Sequence, residues 1–210
     1  MKELFTREGK GSPLEHSELD ANMVELQRRT GEGWNDLVSD VTIQPGAAAP
    51  VPATFRDGLV LYAFPSDTIA ECFANFHLRH DYVDGTMLYP HVHWSHNTTG
   101  VGVVRWGVEW TFARRADSPT GVIAFGPTQT FYIEHDVAAN EQYHHHVNES
   151  AEGAGIFHAD LMVDTLVLCR FFRDAAHPND TFPDHVFLLT VDLHYQCNSL
   201  ATPLRTPPFF

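Results

Sequence analysis

Between residues 103 and 112, apolar and polar side chains alternate almost without a break. Val104, Trp106, Val108, Trp110 and Phe112 fall on one side, and Arg105, Glu109 and Thr111 on the other. A period of two predicts a half-buried antiparallel strand with a heavily aromatic inner face. Residues 186–195 repeat the pattern. Phe187, Leu189, Val191, Leu193 and Tyr195 share one face, and Thr190, Asp192 and His194 share the other. Residues 163–172 are apolar on nearly both faces, which predicts a strand that is central in its sheet or lies at a subunit interface. Shorter runs predict further strands at 58–63, 72–78, 88–94 and 128–133. Asp84-Gly85, Asn97-Thr98-Thr99-Gly100 and His177-Pro178-Asn179-Asp180 mark turns between them.

Only the first thirty residues carry a helical period. Ser12-Pro13-Leu14-Glu15 and Ser17-Glu18-Leu19-Asp20 are both capping sequences, and Leu19, Met23 and Leu26 fall on one face. The spacing predicts an amphipathic helix over 13–29, with Gly31 and Gly33 ending it. So short a helix needs a partner for its apolar stripe. That partner is either this chain's own body or another protein. Residues 44–54, rich in proline and alanine, predict an exposed arm or edge segment. The chain thus divides into a helix and extended attachment arm over 1–54 and a β body over 55–210. No repeat of fixed period points to a β-helix or propeller. The pattern predicts an all-β protein, an antiparallel sandwich or jelly roll with a short N-terminal helix and an extended arm. The proline-rich end, 202–210, suits no central strand, and its Phe209-Phe210 pair is expected to tuck into a groove.

Composition narrows the function. With 210 residues, 43% of them hydrophobic, the chain can bury one ordinary core. Thirteen basic residues against 27 acidic ones give a net charge of -14. That excludes nucleic-acid binding through a basic patch and disfavours anionic membranes. No run is long enough for membrane insertion, and the first residues do not read as a signal peptide, so a soluble product of a cytoplasm is expected. Cys72, Cys169 and Cys197 are scattered in apolar stretches and read as buried free thiols.

The segment Gly11-Ser12-Pro13-Leu14-Glu15-His16-Ser17-Glu18-Leu19-Asp20-Ala21-Asn22 resembles "G-[ST]-P-L-x-x-x-E-x-D-A-N". That pattern opens many tailed-bacteriophage fibre and adsorption proteins. A second block, from His80 to Trp94, with Pro90-His91-Val92-His93-Trp94 at its end, resembles uncharacterised phage virion proteins. The resemblance implies a virion location after assembly in the host bacterial cytoplasm. It also implies a homotrimer and contact with other virion proteins. Pro13, Leu14, Leu19, Met23 and Leu26 would then form the attachment element. A tail-fibre or adsorption component is the leading expectation, and a head fibre or capsid-decoration protein is the alternative.

Candidate chemistry centres on His91 and His93. Two apart on a predicted strand, they face the same way. Three readings stand open. They bind a transition metal on a trimer axis, they begin a cupin-like catalytic metal site, or they are hydrogen-bonded structural histidines. The cupin pattern requires a glutamate shortly afterwards, and Asn97 and Thr98 stand there instead. No carboxylate pair, nucleophile elbow or phosphate loop is present, so no enzymatic activity and no cofactor beyond that metal are expected. His144-His145-His146 reads as a solvated or interface loop. Tyr82, Tyr89 and Trp94 are candidates for stacking on a host surface glycan, with Tyr89 and Trp94 the more open ones.

Overall fold

Alternating apolar side chains carry the chain into two antiparallel sheets that bury their aromatic faces against each other. The computed structural model describes residue 6 and residues 10–30, 32–118 and 121–198. Among the described residues, the helix α1 (His16–Thr30) precedes the strands β1 (Glu32–Ser39), β2 (Val51–Arg56), β3 (Leu59–Phe64), β4 (Ala70–His77), β5 (Leu88–Ser95), β6 (Gly102–Ala113), β7 (Gln129–Val137), β8 (His146–Glu149), β9 (Leu166–Arg173) and β10 (Val186–Asn198).

One sheet runs β2-β3-β10-β5-β8, and β1 also pairs with β10. The other runs β4-β9-β6-β7. Strands β3 to β10 pass from sheet to sheet at every step except β6 to β7, in the orders 3-10-5-8 and 4-9-6-7, which is the connectivity of a jelly roll. The expected fold class holds. Phe64 of β3 and Trp94 of β5 meet Trp106 of β6 across the sandwich, at ring distances of 5.3 and 6.4 Å. Val104, Trp106, Val108, Trp110 and Phe112 all point into this core.

Strand β9 is central, between β4 and β6, and Phe172 on its outer face is covered within the chain, whereas Leu166 is exposed and Leu168 half-buried. Phe172 lies over Gly107 of β6, where an added Cβ would sit 2.2 Å from the ring. Glycine is thus the residue that lets the ring lie flat. Arg170 stacks on the Phe172 ring at 4.3 Å, and Tyr132 meets its edge at 6.1 Å. The double-sided apolar pattern fits the central position of β9 in its sheet.

One end of the sandwich is closed by Arg173, which is 0% exposed, as is its partner Asp180. All five guanidinium N–H groups find acceptors. Nε and Nη2 donate to the two Asp180 carboxylate oxygens at 3.0 and 2.7 Å. The remaining three reach the carbonyls of Phe64, Phe182 and Asp184. A buried arginine with every donor used fixes β9, the end of β3 and the 180–184 loop to one another.

Residues 51–54 lie in β2, at the edge of its sheet and paired with β3, as the edge alternative has it. Three expectations are corrected. The extended arm is partly a built strand, because β1 pairs with β10 over eight positions, from Glu32↔Asn198 to Ser39↔Val191. Its inward residues include Asn35 and Ser39, so the apolar alternation that announces a strand is weak. The helix begins at His16 and not at 13, because Glu15 is its cap. The Glu15 carbonyl accepts from Glu18 N–H and Leu19 N–H, and the Glu18 carboxylate accepts from Glu15 N–H at 2.9 Å. Finally, β10 changes face part-way. A bulge lies between Leu188 and Thr190, so Val186 and Leu188 point into the core before it and Val191, Leu193 and Tyr195 after it. Leu189, expected inside, is exposed. The 202–210 segment with its phenylalanine pair lies outside the described residues.

Candidate functional site

The bulge in β10 sets Thr190, Asp192 and His194 on the outer face of the six-stranded sheet. There they meet the outward side chains of β5: Asp192 stands opposite His91, and His194 opposite Tyr89. On the far side of β5, strand β8 sets Glu149 opposite His91. His91 and His93 do share a face, with rings 5.9 Å apart.

The Asp192 carboxylate lies between the two histidines. Its Oδ1 is 2.9 Å from His91 Nδ1 and its Oδ2 is 2.8 Å from His93 Nε2. These approaches lie off the hydrogen-bond direction, and Asp192 Oδ1 and His93 Nε2 are buried without a hydrogen-bond partner. The other nitrogen of each ring is held. His91 Nε2 lies 2.5 Å from Glu149 Oε2, and His93 Nδ1 lies 2.9 Å from His145 Nε2. The side chains of His91, His93 and Asp192 are 11, 16 and 6% exposed. Burial disfavours a charged His91 ring, but Asp192 and Glu149 on its two sides outweigh that and hold its pKa above the ordinary value. Among the described residues, neither Asp192 nor Glu149 pairs with a lysine or arginine.

Two carboxylates thus stand beside the histidine pair, Glu149 from β8 and Asp192 from β10, at positions no local motif contains.

Beside the cluster lies a recess of about 270 Å³ lined by Trp34, Tyr89, Glu149, Glu152 and His194. Trp34 of β1 is 55% exposed. Its ring meets Tyr89 edge-on at 5.7 Å and His194 at 5.0 Å. Tyr89 is half-buried and forms part of this wall. Trp94 does not: it is fully buried, and its indole N–H donates to Asn148 Oδ1. Tyr82 is buried too, with its hydroxyl donating to the Thr86 carbonyl. Trp34 is the aromatic that the sequence reading passed over, because its strand was taken for an arm.

The histidine run divides. His144 and His145 are exposed, but His146 opens β8 facing inward and is buried. It stacks on Trp94 at 4.5 Å and lies near His96 and His135, at 5.5 and 4.8 Å. Burial first, then neighbouring His135 and His96, push its pKa down to about 4. His135, Glu141 and His146 bring possible ligand atoms within 4.8 Å of one another. There, Asn148 contacts His135 Nδ1, and the Glu141 carboxylate accepts from Ala138 N–H.

On α1, Leu14 is half-buried, and Pro13, Leu19, Met23 and Leu26 are exposed. Among the described residues, no helix is long and apolar enough to cross a membrane.

No family model and no curated protein matches the chain. Among solved structures, the chain is similar to TmCBM61, determined in complex with beta-1,4-galactotriose. The alignment has 10% identity and a TM-score of 0.27, and it covers 79% of this chain and 88% of that one.

Proposed function

We propose that this chain is a non-enzymatic component of a tailed-bacteriophage particle, attached through α1 and displaying the jelly roll as an adsorption module. The observation that carries the reading is the apolar stripe of α1. Among the described residues, Leu19, Met23 and Leu26 are exposed and none belongs to the core cluster of the body. An exposed apolar helix stripe is a surface for another protein. The occupant is another virion protein, because the stripe starts at Leu19, within the segment that resembles phage fibre and adsorption proteins, and continues directly beyond it. The same resemblance supports a trimeric particle form.

Particle assembly tests this. A full-length L19D/M23D/L26D variant is expected to keep a β-dominated circular dichroism spectrum and to be absent from purified particles by immunoblot. Incorporation at the wild-type level overturns the reading.

The recess at Trp34 and Tyr89 supports a host surface glycan as the target. Exposed aromatic rings cover the apolar faces of sugars, and Glu149, Glu152 and His194 supply hydroxyl partners beside them. Trp34→Ala is expected to weaken binding of the purified protein to host surface polysaccharide by about tenfold or more, as removal of a central aromatic anchor does. Unchanged binding by surface plasmon resonance places the glycan contact elsewhere.

A further inference from the structure

We propose that His91, His93 and Asp192 of a single chain form a binding site for one divalent first-row transition metal ion. The argument starts from proton count. A neutral imidazole has one N–H, yet His91 lies between two carboxylates, with Glu149 at Nε2 and Asp192 at Nδ1. An N–H directed at Glu149 leaves a lone pair facing an anionic oxygen, and such a pair needs a cation between its members. A second proton on His91 Nδ1 answers that contact alone, and His93 Nε2 still lies buried beside Asp192 Oδ2 without a hydrogen-bond partner. A metal ion takes all three groups, because it binds along lone-pair directions and not along a line between donor and acceptor.

The spacing fits. Bonds of about 2.0–2.1 Å set neighbouring ligand atoms about 2.9 Å apart at octahedral angles and about 3.4 Å at tetrahedral ones; the nitrogen–oxygen separations here, one to each Asp192 oxygen, are 2.9 and 2.8 Å, close enough for one ion to draw the groups in. Two imidazoles and one carboxylate suit zinc, iron, nickel or cobalt, and disfavour magnesium and calcium, which prefer oxygen alone. The surrounding contacts are those of a metal centre. Glu149 orients His91 through its remote nitrogen, as carboxylates do for metal-bound histidines. Glu149 Oε2 also approaches His194 Nδ1 at 3.4 Å, and His194 packs on Trp34. The ion would therefore stiffen the floor of the aromatic recess.

Cobalt(II) is the probe. Full-length protein is freed of metal with a chelator, dialysed, and titrated with cobalt(II) while visible absorption and bound metal per chain are measured. One ion per chain with d–d absorption bands is expected. H93Q and D192N should each weaken uptake by about tenfold or more, and E149Q should fall in the roughly 10–100-fold range of a supporting carboxylate. E141Q, in the His135 cluster, should bind as wild type. Far-ultraviolet circular dichroism confirms that each variant is folded, and H93Q, on the more open ligand, carries the test if D192N is not. Absence of uptake in the wild type overturns the proposal. So does uptake that survives H93Q, uptake lost in E141Q, or one ion per three chains. None of these outcomes bears on particle attachment, which is read from α1.

Discussion

Replacing Arg173 with methionine is expected to destabilise the protein by about 3–5 kcal/mol, the cost of leaving one partner of a buried ion pair alone. Asp180 would keep a buried charge, and the carbonyls of Phe64, Phe182 and Asp184 would each lose a donor. In a chain of this size the melting temperature should fall by roughly 10 °C. The double variant R173M/D180L should recover part of the loss, because apolar side chains then replace both charges. Recovery stays incomplete, since Asp180 also accepts from the Arg105 backbone N–H at 3.0 Å. Urea unfolding followed by tryptophan fluorescence measures all three proteins. A loss below about 1 kcal/mol in R173M would mean that water or a rearranged loop satisfies these groups.

The second large effect is a loss of stability in acid that depends on His146. The ring is stacked between the sheets against Trp94, and burial holds its pKa at about 4. Once unfolded, it binds a proton near its ordinary pKa of 6.5. The unfolded chain therefore takes up the proton first as pH falls. Stability from this residue is intact above about pH 6.5, declines below it, and is gone near pH 4. The shift corresponds to about 3 kcal/mol. The groups facing His146 are His135, His96 and His144, which oppose its protonation, and Glu141, which favours it. Other groups titrate in the same range, so the comparison is with H146Q. Between pH 6.5 and 4, urea-derived stability should fall more steeply in wild type than in H146Q. Equal slopes would show that the ring is protonated in the fold.

Periodicity made most of the architecture legible, and its failures have physical causes. Strand β6 was readable in full because five inward residues alternate with outward ones without interruption. Strand β1 was hidden because Trp34 and Val38, two of its three large apolar residues, point outward, and Leu37 shares the inner face with Asn35 and Ser39. Strand β8 is four residues long, with His146 and Asn148 inside, so nothing in its composition separates it from a loop. Arg173 was overlooked for a related reason. At the end of an apolar run, a single charge reads as the point where a strand reaches water.

The candidate site was half visible. His91 and His93 stand two apart on one strand, and that spacing is local. Asp192 and Glu149 reach them only through the pairing of β5 with β10 and β8. Sheet register is a property of the fold, and no spacing within one strand encodes it.

The bulge at Leu189 gives this site an unusual route of origin. Counting from Val186 and Leu188, an unbroken strand would turn Asp192 and His194 toward the core. One extra residue reverses the parity of everything beyond it. A single-codon insertion upstream of an existing Asp-Leu-His sequence would thus move two polar side chains from the interior to a surface already bearing His-x-His, with no substitution at any of the four positions. Deleting that codon would erase the arrangement while leaving every participating residue in the gene.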